Sequence, residues 1–144
     1  MRKKMLLVML LSCTFGIFYY SWLPDPKLAS ETYLPAWLLD WSNLHFNLRT
    51  AIPFIGFGFL LEMWGATSSQ MKNTKEKVLG SLFHILLAAV IVSLAELGQC
   101  FIIKRIPDSM DILYGILGSV LGSVLYAFFN FILVIIFIKN EKQT

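Results

Sequence analysis

The sequence predicts an all-α fold, an integral membrane four-helix bundle with both termini cytoplasmic, and three observations predict it. Of its 144 residues, 57% are hydrophobic and only 15% charged, more apolar surface than a soluble domain of this length can hide. Four apolar runs are long enough to cross about 30 Å of hydrocarbon, which a helix does with about 20 residues. Lysine and arginine are unevenly placed. With the N-terminus inside, Arg2, Lys3, Lys4, Lys72, Lys75, Lys77, Lys139 and Lys142 fall inside, against Lys27, Arg49, Lys104 and Arg105 outside, the bias that orients membrane proteins. The net charge of +3 therefore reads as topology and not as a nucleic-acid footprint.

The first run, 5–23, follows a basic "RKK" and contains a Ser-Cys pair at Cys13 that loosely resembles a lipoprotein cleavage site. The run continues as "TFGIFYYSWL" past that cysteine, too long for a signal-peptide core, so a retained span is expected. Next comes "LPDPKLASETYLPAWLLDWSNLHF", broken by Pro24, Pro26 and Pro35 and rich in aromatics. It is expected on the outer surface, with "YLPAWLLDW" as a short amphipathic turn or helix at headgroup level. The second run, 48–64, is barely long enough to span. A polar, basic loop, "GATSSQMKNTKEK", leads to the third run, 78–101, and a short turn, "IIKRIPDS", leads to the fourth, 112–138. One domain, 1–144, covers the chain. Cys13 and Cys100 fall at different depths, which argues against a disulfide; both read as buried packing residues, and neither has metal-ligand spacing.

The stretch "AELGQCFIIKRIPDSMD", 95–111, places ionisable groups beside some of the most apolar sequence in the chain. Glu96 lies about 27 Å along the third span from Val78, and Gln99 shares its face three residues on. Asp108 and Asp111 fall in the first turn of the fourth span, where carboxylates suit the positive end of a helix dipole. Below them Gly115, Gly118, Gly122 and Tyr126 continue one stripe, and "GSVLG" is a G-x-x-x-G segment that lets a neighbouring helix come close. His45, Asn47 and Arg49 enter the second span at nearly the depth of Glu96. Arg49 and Arg105 could neutralise some of the three carboxylates, offsetting a cost of roughly 2.5–3.5 kcal/mol for each charge at a helix centre. The bland alternative is a snorkelling arginine, two helix caps and a buried counter-ion. Glu62 and His84 form a second pair near the cytoplasmic side, better read as helix-packing hydrogen bonds than as a proton relay.

The segment "AELGQCFIIKRIPDSMDILYGILGSVLG" resembles the signature of the VanZ-like membrane proteins: E-x-x-Q, then R-x-x-D-x-x-D, then G-x-x-x-G. Glu96, Gln99, Arg105, Asp108, Asp111, Gly118 and Gly122 fall in register, and "NLRTAIPFIGFGFLLE" is similar to the family's second span. Together these cover about a third of the chain by direct comparison of the quoted segments with its full length. Gly115 departs from the family's frequent Asn. The resemblance implies a protein of the bacterial cytoplasmic membrane and cell envelope, linked to resistance to teicoplanin-type glycopeptides, with no settled biochemical activity.

Three functions fit. The first is a charged outer-leaflet site that binds membrane lipids or a lipid-linked envelope precursor, with candidate contacts Glu96, Gln99, Arg105, Asp108, Asp111, Arg49 and His45. Arginines would hold an anionic head, and carboxylates would orient them or take hydroxyl or cationic groups. The second is an enzyme using carboxylates as acid and base; with no nucleophile–histidine pair it ranks below binding. The third is a scaffold whose G-x-x-x-G face pairs with a partner. No nucleotide or acyl-CoA motif points to a cofactor. Four spans in so short a chain leave little room for an enclosed path, which invites a homo-oligomer or a membrane protein partner.

Overall fold

The computed structural model describes residues 2–28, 31–68, 73–103 and 105–141. It contains five helices: α1 (Arg2–Ser21), α2 (Ala36–Leu44), α3 (Phe46–Ser68), α4 (Thr74–Gln99) and α5 (Ser109–Glu141). Four of them, α1, α3, α4 and α5, are long and apolar enough to cross a membrane. Lys72, Lys104 and Lys142, which enter the charge count, lie outside the described residues, as does the middle of the basic loop.

The element ends follow from local chemistry. α1 stops just before Leu23-Pro24, because the residue preceding a proline is pushed out of the helical region. Pro35 precedes α2 in an extended conformation (φ −61°, ψ 139°), and a break at His45 (φ −128°, ψ 57°) separates α2 from α3. α3 is longer than the expected 48–64, starting at Phe46 and reaching Ser68. Its end residues are polar enough to mask a helix that the backbone nevertheless continues. Pro53 sits inside it, where the ring removes the hydrogen bond to the carbonyl of Arg49. Asp108 starts α5: its Oδ1 accepts from the Met110 N–H at 2.8 Å, an N-cap bond.

α3 is the hub, touching α1, α2, α4 and α5. α5 is its closest neighbour because three glycines remove the side chains between them. A Cβ on Gly118 would strike the Ala51 carbonyl, one on Gly122 the Ile55 carbonyl, and one on Gly58 of α3 the Ser119 backbone. Gly115 instead opens toward Val92 of α4, 2.8 Å from where its Cβ would stand. The neighbouring helix that the G-x-x-x-G segment lets come close is thus α3 of the same chain, which leaves that face unavailable to the scaffold alternative. The core is Leu10, Ile17, Phe54, Phe57, Leu61, Ala88, Val92 and Ala95, with Phe54 and Phe57 edge to face at 6.1 Å. Outward surfaces such as Phe15, Leu79 and Phe131 are more than 60% exposed, and such apolar cover around long helices calls for lipid as solvent.

Candidate functional site

At the end of the bundle where α1 stops and α3 and α5 begin, the helices splay around a cavity of about 500 Å³. Its polar rim comes from four elements and the turn between α4 and α5: Tyr20 and Ser21, Arg49 and Thr50, Glu96 and Gln99, Arg105, and Asp111. Leu34, Leu38, Leu39, Trp41 and Ser42 on and before α2 also line it. α2 is therefore a wall of the cavity as well as a surface helix with Trp37 exposed. Leu28 reaches the cavity from a backbone with φ 55°, which a leucine adopts only when its surroundings require it.

Glu96 and Gln99 are the tie-points. Both are buried, one helical turn apart at the end of α4. Glu96 Oε1 accepts from Gln99 Nε2 at 2.9 Å, and its Oε2 accepts from the Asp108 N–H at 3.1 Å. Gln99 Nε2 also donates to Ser21 Oγ at 3.0 Å. One carboxylate and one amide so fasten α1, α4 and the start of α5 together. Trp22 completes the seam: its Nε1 donates to the Ala95 carbonyl at 3.0 Å, and its indole lies where a Cβ on residue 98 would stand. Glycine at 98, inside the motif, is explained by that contact.

The arginines share the cavity with Glu96 and Asp111 but do not touch them. Neither comes within ion-pair distance of Glu96, Asp108 or Asp111 among the described residues. Arg105 Nε donates to the Leu23 carbonyl at 2.8 Å and its guanidinium also reaches the Tyr20 carbonyl at 3.3 Å. These acceptors exist because α1 ends there, leaving carbonyls without helical partners and a partial negative charge. Arg49 Nη1 donates to the Pro26 carbonyl at 2.8 Å, with its guanidinium 5.2 Å above the Phe46 ring. Burial presses the Arg105 guanidinium below its ordinary pKa, while Glu96, Asp111 and Asp25 act in the opposite sense; arginine remains charged throughout.

Asp111 is the second carboxylate of the rim, with Oδ1 accepting from the Thr50 hydroxyl at 2.9 Å. Two expected contacts fall elsewhere. The Asp108 side chain is exposed and serves its own helix, so only its backbone N–H joins the cluster. His45 faces a separate shallow groove with Asn47 and Tyr114, its ring stacked on Trp41 at 5.2 Å and its Nδ1 3.0 Å from the Trp41 carbonyl. Cys100, read as buried packing, is exposed because it follows the last residue of α4 in the turn; Cys13 is half-buried and lines the cavity, and both are free thiols.

Family models, curated proteins and solved structures contain no match to this chain. The chemistry must be read from the site itself. Sequence reasoning missed Tyr20, Ser21 and Thr50, whose small polar groups carry no spacing signal, and the leucines of the α2 region, which hydropathy does not separate from lipid-facing ones.

Away from the cavity, the Glu62–His84 pair is present. His84 Nδ1 lies 3.2 Å from Glu62 Oε1, off the line of a good hydrogen bond, and Ser123 Oγ donates to the same oxygen at 3.2 Å.

Proposed function

We propose that the chain is a multi-pass protein of a bacterial cytoplasmic membrane, of the VanZ-like kind, whose cavity binds the anionic head of a membrane lipid or lipid-linked envelope precursor. One observation carries this reading: two arginines line one cavity and are anchored by backbone carbonyls instead of by carboxylates. A carbonyl holds a guanidinium in place without cancelling its charge, so the N–H groups beyond the Arg105 Nε and Nη2 and the Arg49 Nη1 that the carbonyls take stay available to a phosphate or carboxylate. The carboxylates, in turn, are held by neutral donors. Asp111 keeps an oxygen for a hydroxyl or ammonium on the same ligand.

The uneven lysines and arginines support both termini on the cytoplasmic side, with the cavity at the outer leaflet; reporter fusions at Lys75 and Lys142 reporting opposite sides would overturn that orientation. A binder in the outer leaflet fits the association of VanZ-like proteins with teicoplanin-type resistance, since such drugs act outside the membrane. No observation favours catalysis over binding, as both oxygens of Glu96 are engaged in holding helices together.

The test is mass spectrometry of lipids retained by the purified wild type, Arg105→Lys and Arg105→Ala, with membrane abundance measured alongside. The expected outcome is an anionic lipid on wild type and its loss from both variants at equal abundance, because a point charge does not replace the fork. Retention of the same lipid by Arg105→Ala would overturn the reading.

A further inference from the structure

The cavity extends beyond the groups that give it its charge. Along α1 its wall is Cys13, Gly16, Ile17 and Tyr20, a single helical face that runs roughly 10 Å from Tyr20 to Cys13 at 1.5 Å per residue. Ile52, Pro53 and Phe54 of α3, with Val92 of α4, line the rest of it, and the walls meet where Cys13 Sγ lies 3.9 Å from the Pro53 carbonyl. Every one of these side chains is apolar or weakly polar, so the space below the arginines is an apolar arm continuous with a charged mouth.

Gly16 shows that the arm is open. A Cβ built there meets no atom within 4 Å, whereas at Gly58, Gly65, Gly98, Gly115, Gly118 and Gly122 it would press into a neighbour. Those six glycines exist to let something come close. Gly16 lets nothing of this chain come close, yet it is half-buried on the cavity wall. An apolar void leaves its lining short of dispersion contacts on one side, and it offers water few of the polar partners that hold buried water in place.

We infer that this arm holds the hydrocarbon chain of a single phosphate-headed amphiphile whose head lies at Arg49 and Arg105. The inference rests on the proposed binding function and adds the class and the pose of the ligand. Charge complementarity selects the phosphate, continuity of the arm with the mouth selects an attached chain, and Gly16 marks where that chain passes. A free inorganic anion would use the mouth and leave the arm empty.

The experiment uses the full chain in an uncharged glycoside detergent, with dodecyl phosphate and inorganic phosphate as probes and equilibrium binding as the readout. Gly16→Leu fills the arm at a position with free space, and Gly56→Leu, where the glycine is exposed and also without neighbours, controls for a leucine added elsewhere. Gly16→Leu is expected to weaken dodecyl phosphate by about tenfold or more, the fold-change of overpacking a filled site, while binding inorganic phosphate as wild type does, and Gly56→Leu is expected to bind both probes as wild type does. Arg105→Gln should weaken both probes. If Gly16→Leu binds dodecyl phosphate like wild type while Arg105→Gln does not, the chain lies elsewhere and this inference falls while the head site stands. Equal affinity for inorganic phosphate and dodecyl phosphate overturns the lipid assignment. Indifference of both probes to Arg105→Gln overturns the head site as well.

Discussion

Two polar clusters sit inside this apolar bundle, and they solve the same problem in opposite ways. Glu62, His84 and Ser123, from α3, α4 and α5, meet one another directly, and Gly65 is small because the His84 ring occupies the place of its Cβ. About 20 Å along α3, reckoned from 13 residues at 1.5 Å each, Arg49 lies in the other cluster, where arginines face backbone carbonyls, carboxylates face neutral donors, and a cavity of about 500 Å³ lies between them. Polar residues in an apolar bundle are thus not by themselves a sign of function. Those that meet each other hold helices together, and those held apart around a space keep their charge for something else.

The largest expected effect falls on the residue that belongs to both categories. Glu96 lines the cavity but also receives Gln99 and the Asp108 N–H, so Glu96→Ala should remove the fastening between α4 and α5 and leave buried donors unpaired. Losses of about 3 kcal/mol or more accompany the removal of one partner from a buried charged network. Thermal unfolding in detergent should show a large drop for Glu96→Ala and a smaller one for Glu96→Gln, which can keep an acceptor. Equal stability of Glu96→Ala and wild type would mean that Glu96 is held for a ligand alone and would dissolve the distinction at this residue.

A second pair of changes sharpens the contrast between closed and open clusters. Gly65→Val forces a side chain into the His84 ring and is expected to cost about 1–3 kcal/mol, the range for overpacking. Gly16→Val enters empty space and should leave unfolding near wild type. The same scan of melting temperature reads both. A Gly16→Val protein as unstable as Gly65→Val would show that the arm is closed by packing.

How far each cluster is legible in the sequence follows from the same contrast. The four long helices stand out because hydropathy reports burial in lipid directly, and Gly118 and Gly122 stand out because only close backbones need that spacing. Glu96, Gln99 and Asp111 converge as their helical faces imply, and Arg105 joins them from the turn between α4 and α5. The partners of the arginines do not show, because the carbonyls of Tyr20, Leu23 and Pro26 belong to no residue type. Nor does the inward role of Leu34, Leu38 and Leu39, since a leucine facing a cavity and a leucine facing lipid read alike. Pro53 inside α3 and the positive φ of Leu28 are set by the packed neighbours and not by a local pattern.

The smallest expected effect concerns Asp108, which the sequence spacing places three residues from both Arg105 and Asp111 while its side chain lies outside the cavity. Its Oδ1 accepts from the Met110 N–H, and its backbone N–H is the donor that Glu96 receives. A side chain that caps a helix can be replaced by another cap, because asparagine offers the same acceptor in the same place. Asp108→Asn should therefore match wild type in both unfolding and retained lipid, whereas Asp108→Ala should lose about 1 kcal/mol, the usual worth of such a cap, and still retain the lipid once folded. A charge role predicts equal losses for the two variants, since asparagine and alanine remove the charge alike. If Asp108→Asn keeps its stability but loses the lipid, the Asp108 carboxylate acts on the ligand from the rim, and the boundary between the fastening groups and the binding groups runs on the other side of this residue.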